Sequence, residues 1–173
     1  MKNMKNKFST RMLAVMSILV ALEVIIARFG TIRPTQSIKI SLDFIPIVAA
    51  AVLYGPVPAV IISILADVLG AFLFPVGPYF PGFTLTAALT GLLYGLLLHK
   101  SQSLPRVALA VVLQQAVLSL GLNTYWLHIL YGMPYVPTLV TRLVQAGIVT
   151  AVQLVVIPLI AKTIQQAEKR IST

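Results

Sequence analysis

Between Val57 and Phe74 the chain reads VPAVIISILADVLGAFLF, and one ionisable residue, Asp67, stands in the middle of it. An ionised side chain at bilayer depth costs about 2.5–3.5 kcal/mol on insertion scales, so a chain that keeps one usually gives it a polar cavity to face. A backbone without water to bond must also satisfy its own N–H and C=O groups, which a helix does. The run therefore calls for a helical membrane bundle with a polar site inside it.

Six apolar segments are legible: roughly Arg11 to Ala27, Phe44 to Tyr54, Val57 to Phe74, Phe83 to Leu98, Val107 to Leu122 and Thr138 to Ala161. The second is too short to span a bilayer upright and is ended by Gly55 and Pro56. With 58% apolar residues, 10% charged residues and a mean hydropathy of +0.96 over 173 residues, the chain reads as one all-α integral membrane domain, residues 1–173. It is expected to be a compact bundle of six transmembrane helices with short basic tails. The N-terminus has the basic start and apolar stretch of a signal peptide, but that stretch runs into Glu23 and Arg28 without an A-x-A site, so it is read as a retained helix.

The absence of cysteine removes disulfides and thiolate metal sites, and His99 and His128 lie in different segments without ligand spacing. No metal and no cofactor are expected. The net charge of +9 does not mark a nucleic-acid surface, because the basic residues cluster at the ends of apolar segments rather than along a solvated face. Lys2, Lys5, Lys7, Arg11, Lys100, Arg106, Lys162, Lys169 and Arg170, nine of thirteen, fall on one side of a six-span topology. Under the positive-inside rule both termini are cytoplasmic and the protein is a multi-pass protein of the cell membrane. Arg28, Arg33 and Lys39 break the trend in the loop after the first helix, either as snorkelling side chains or as attraction for an anionic ligand.

Small residues four apart, at Ala59 and Ser63, Ala66 and Gly70, and Ala87, Gly91 and Gly95, indicate close helix packing. On the first helix Ala14, Ser17 and Ala21 form a face that suits either internal packing or a separate membrane partner. At 100° per residue Arg142, Gln145, Val149 and Gln153 make a polar stripe along the last helix. Opposite it, Asp67 and Thr84 supply a carboxylate and a hydroxyl. Two readings fit: a ligand pocket, or an Asp67–Arg142 ion pair that only holds the bundle together. The loop FPVGPYFPGFTLT is stiffened by Pro75, Pro78 and Pro81 and carries Phe74, Tyr79, Phe80 and Phe83. After the fifth helix, LNTYWLHILYGMPYVP places Asn123, Tyr125 and Trp126 at the same face, where the two rings suit a stacking wall and Tyr131 and Tyr135 an interfacial belt.

Residues Lys39 to Leu98, with LNTYW at Leu122 to Trp126 and TRLVQ at Thr141 to Gln145, resemble the substrate-binding S components of energy-coupling factor (ECF) vitamin transporters, most nearly the folate-specific branch. The resemblance covers nearly the whole chain. It implies a subunit that captures folate at its extracellular end and reorients in the membrane to deliver it. It also implies as partners a transmembrane scaffold (T) subunit and two cytoplasmic ATPase (A) subunits that hold the ATP sites; this chain has no G-x-x-x-x-G-K-[ST]. The ligand residues it implies are Asp67 for the pterin amine edge; Arg142, Gln145, Asn123 and Thr84 for the remaining polar groups; and Phe29, Phe83, Tyr79, Tyr125 and Trp126 for the rings. Arg28 or Lys39 pairs with the glutamate tail, and Ala14, Ser17 and Ala21 dock the scaffold, with Ile18 where a further small residue is usual. The alternatives are an S component for another vitamin or a queuosine precursor, and a stand-alone secondary transporter coupled to protons through Asp67 or Glu23. The latter is disfavoured because the two halves show no internal repeat. An enzyme is not expected, because the four acids Glu23, Asp43, Asp67 and Glu168 are not paired at short spacing.

Overall fold

In the computed structural model, which describes residues 9–35 and 37–171 with side chains as far as Ala167, each apolar segment forms a helix. Lys2, Lys5 and Lys7, and the side chains of Glu168, Lys169 and Arg170, lie outside the described residues. Helix α1 spans Thr10–Phe29, α2 Phe44–Tyr54, α3 Pro56–Leu73 and α4 Pro81–Leu98. A continuous rod, Leu104–Tyr131, follows, in which α5 (Leu104–Leu113) passes through a π-wound stretch (Gln114–Asn123) into α6 (Thr124–Tyr131). Helix α7, Tyr135–Ile171, ends the described chain. Five of these, α1, α3, α4, the rod and α7, are long and apolar enough to cross a membrane. Among the described residues no strand forms; the loop after α1 holds one antiparallel bridge between Ile32 and Ile40.

The rod corrects the sequence reading, which ended the fifth helix near Leu122 and took the next residues as an outer loop. Nothing from Leu122 to Tyr131 breaks a helix; the stop comes at Gly132, whose φ of 66° suits glycine and whose N–H bonds His128 O at 2.9 Å, followed by Pro134.

Helix α2 is apolar on every side and is buried accordingly, with Val48, Ala50 and Ala51 fully enclosed among α1, α3, α4 and α7. Its 11 residues make a helix of about 16 Å, against about 30 Å for the 20 residues of α1. It ends at Gly55, where φ is 86°, and Pro56 opens α3 immediately.

Helices α3 and α4 pack closely through the small residues. A Cβ on Gly91 would lie 2.7 Å from Ala59 O, and one on Gly95 would lie 2.2 Å from Pro56 Cα. The outer face of α1 presents Ala14, Ser17 and Ala21 exposed beside Leu13, Ile18 and Leu22, while Met16, Val20, Glu23 and Val24 turn inward. Gly95→Ala is expected to cost about 1–3 kcal/mol by overpacking against the backbone of Pro56. Thermal unfolding in detergent should show the loss, with Gly147→Ala, whose Cβ would meet nothing within 4 Å, as the unaffected control.

Candidate functional site

Above α2 the bundle encloses a cavity of about 580 Å³, within the 300–1,000 Å³ range of small-molecule sites. Every element except α5 contributes to its lining, as do the loops after α1 and α3. Glu23, Asp43 and Asp67, three of the chain's four acidic residues, line it together with Arg28, Arg33, Lys39 and Arg142. Charges that are expensive in a membrane are thus gathered in one place, where they face each other and a bound molecule rather than lipid.

Asp67 projects from α3, and Thr84 on α4 donates to its Oδ2 at 2.6 Å; the Tyr79 hydroxyl lies 3.1 Å from Thr84 Oγ1. Across the cavity the α7 stripe is as expected: Arg142, Gln145, Val149 and Gln153 are all buried and all line it. Arg142, 4% exposed, donates from Nη1 to Thr124 at 3.2 Å and from Nη2 to Ser119 at 3.4 Å, and its buried Nε has no partner. The ion-pair alternative for Asp67 and Arg142 is therefore corrected: hydroxyls from other helices hold each charge separately. Among the described residues the ion pair that forms is Lys39–Asp43. Lys39 N also donates to Gln145 Oε1 at 3.0 Å, tying the loop to α7.

Glu23 and Arg28 reach the cavity from α1. Glu23 is 7% exposed, and its Oε2 is buried without a hydrogen-bond partner. The Arg28 guanidinium crosses Gly70, where an added Cβ would lie 2.8 Å from Nε. The small residue read as a packing contact on α3 instead makes room for a cation.

Of the expected ligand residues, Asp67, Arg142, Gln145, Asn123, Arg28, Lys39, Tyr79 and Phe83 line the cavity. Thr84 does not, and is placed behind Asp67 as its hydrogen-bond donor. The expected placement of three rings is corrected. Phe29 is 69% exposed and packs edge-on against Phe74 at 5.3 Å. Tyr125 is 47% exposed, and Trp126 donates to Thr86 at 3.0 Å while stacking near Phe80. The cause is the helical course of residues 122–131: consecutive residues turn by 100°, so Asn123 and Leu127 can face the cavity while Tyr125 turns out. Phe44, Phe80 and Tyr131 supply rings to the lining instead, beside the expected Tyr79 and Phe83. Sequence reasoning also missed Gln114, Gln115, Ser119 and Thr86. Only the excess of amides in an apolar run signalled the first two.

The comparisons with known proteins bear on the fold and the family. The family model described as the substrate-specific component of ECF transporters matches residues 11–164. Folate transporter FolT of Clostridium novyi (strain NT) is 39% identical over 143 residues, 82% of this chain and 83% of that one. Folate transporter FolT of Leuconostoc mesenteroides subsp. mesenteroides is 33% identical over 127 residues, 72% of this chain and 68% of that one. The crystal structure of FolT bound with folic acid superposes with a TM-score of 0.84 at 34% identity, covering 90% of this chain and 95% of that one. The fold is that of a transporter's substrate-specific component rather than an enzyme. The chain belongs to the family of substrate-specific components of ECF transporters, and is a multi-pass membrane protein.

Because Trp126 is held by Thr86 outside the lining, Trp126→Phe is expected to leave ligand affinity within two-fold. It should lower stability by about 1 kcal/mol, the worth of one hydrogen bond, as read by calorimetry and thermal unfolding of the same preparation.

Proposed function

We propose that this chain is the folate-capture subunit of an ATP-driven importer. The observation that carries the reading is a carboxylate, Asp67, and a buried guanidinium, Arg142, lining one cavity without pairing to each other. A pterin presents an N–H and an exocyclic amine on one edge, which a carboxylate accepts side by side, and a keto oxygen, which a guanidinium or amide donates to. Rings from Phe80, Phe83 and Tyr131 flank the space between. Identities of 39% and 33% to two folate transporters support the same ligand.

The glutamate tail of folate carries two carboxylates and lies towards the loops, where Arg28 and Arg33 line the cavity. Lys39 is held by Asp43, so it serves the tail only by exchanging partners. No cofactor is needed for capture. Arg11, Lys100, Arg106 and Lys162 are exposed at the helix ends remote from the loops that line the cavity, which by the positive-inside rule makes that end and both termini cytoplasmic and opens the cavity outside. Delivery follows by reorientation in the membrane, with ATP used by two cytoplasmic subunits and the exposed Ala14, Ser17 and Ala21 face of α1 docked on the transmembrane scaffold.

Calorimetry of the purified chain against folic acid, reduced folates, other B vitamins and queuosine precursors tests the ligand. Folic acid is expected to bind at one site per chain. Asp67→Asn, which swaps an acceptor for a donor at unchanged size, is expected to cost about 3 kcal/mol, roughly a hundred-fold in affinity. Preferential binding of another panel member overturns the folate reading. Ala21→Leu, on the exposed face of α1, is expected to keep folic acid affinity and abolish co-purification with the scaffold and ATPase subunits.

A further inference from the structure

One wall of the cavity comes from the π-wound stretch, which contributes Gln114, Gln115, Ser119 and Asn123 to the lining. At 3.6 residues per turn, positions 114 and 123 are two and a half turns apart and sit on opposite sides of an α-helix. Bonds from i to i+5 need about 4.4 residues per turn, so the same nine residues make close to two turns and both side chains face the same way. Gln115 and Ser119 then lie within about 80° of Gln114, on the same side. The unusual winding is therefore what assembles the wall, consistent with the concentration of π turns at functional sites.

The wall is only partly used by the protein. Gln115 Nε2 donates to Gln153 Oε1 at 3.1 Å, and Ser119 accepts from Arg142. The oxygens Gln114 Oε1, Gln115 Oε1 and Asn123 Oδ1 are all buried without a partner, and Gln115 is 5% exposed. Stranding buried polar atoms is unfavourable, and packing alone does not call for three of them on one winding. A hydrocarbon ligand would leave them stranded, and a carboxylate would repel them. Amide side chains offer a donor and an acceptor each, and so match a planar ring edge on which both kinds of group alternate.

Resting on the folate reading of this cavity, we infer that the π-wound amide wall is its specificity surface. Asp67 takes a ring N–H and one hydrogen of the exocyclic amine of the pterin, and Gln114, Gln115 and Asn123 read the mixed ring edge beyond it, where ring nitrogens and the keto oxygen accept and the second amine hydrogen donates. Hydrophobic replacement removes this readout without touching Asp67 or the groups that hold the tail.

The test is calorimetry of the full chain in detergent with folic acid, 6-hydroxymethylpterin and p-aminobenzoyl-glutamate. Gln114→Leu removes no hydrogen bond within the protein, and is expected to weaken folic acid and 6-hydroxymethylpterin at least ten-fold while p-aminobenzoyl-glutamate stays within two-fold. Gln115→Leu is expected to do the same, with its melting temperature measured because it also releases Gln153. If the unaltered chain binds folic acid and both variants stay within two-fold for it, the amide wall is not the specificity surface and the inference falls alone. Equal weakening of all three ligands also overturns it. If the unaltered chain binds no folic acid, the folate reading falls and takes this inference with it.

Discussion

Helix α2 is about half as long as its neighbours, and the site exists because of that. A full-length sixth helix, apolar all round, would fill the bundle from end to end with the contacts that Val48, Ala50 and Ala51 make. Gly55 and Pro56 end it at one side, and at the other it begins only at Phe44, after the polar residues that follow α1. The remaining height gathers the charged and amide side chains that cannot face lipid, and the close α3–α4 contact at Gly91 and Gly95 keeps the walls from drifting apart.

Within that space the charges are held individually. Removing an ion from water is repaid only when its remaining hydrogen-bonding capacity is met, and a self-satisfied Asp67–Arg142 pair would have left neither group for a ligand. Thr84 instead engages one oxygen of Asp67, and Thr124 and Ser119 engage two nitrogens of Arg142. Hydroxyls orient both groups without neutralising them. The single described ion pair, Lys39–Asp43, is in the loop, where it helps fix the cavity's mouth together with the bond from Lys39 N to Gln145.

Helix α1 carries two surfaces at once. Glu23 and Arg28 face the cavity, and Ala14, Ser17 and Ala21 face outward on the same 20-residue helix. Arg28 reaches the cavity across Gly70, so the small residues of this bundle serve a cation as well as backbone contact.

Much of this was legible in the residues. Hydropathy and its interruptions give six helices and the shortness of the second, and a 3.6-residue period on the last helix gathers Arg142, Gln145 and Gln153, because those signals are local and repeat along the chain. Asp67 announces a polar interior because a carboxylate in such a run must face polar groups rather than lipid. The family pattern from Lys39 to Leu98 is likewise a property of the sequence. The tertiary structure alone decided which partners hold Asp67 and Arg142, because hydroxyls from other helices have no signature in the runs that carry the charges. It also turned Tyr125 and Phe29 away from the cavity, and wound Gln114 to Asn123 so that four polar side chains share one face. A period of 3.6 residues would spread those four over half the helix circumference, and the π-wound stretch packs against α4 and α7, contacts that no single segment encodes.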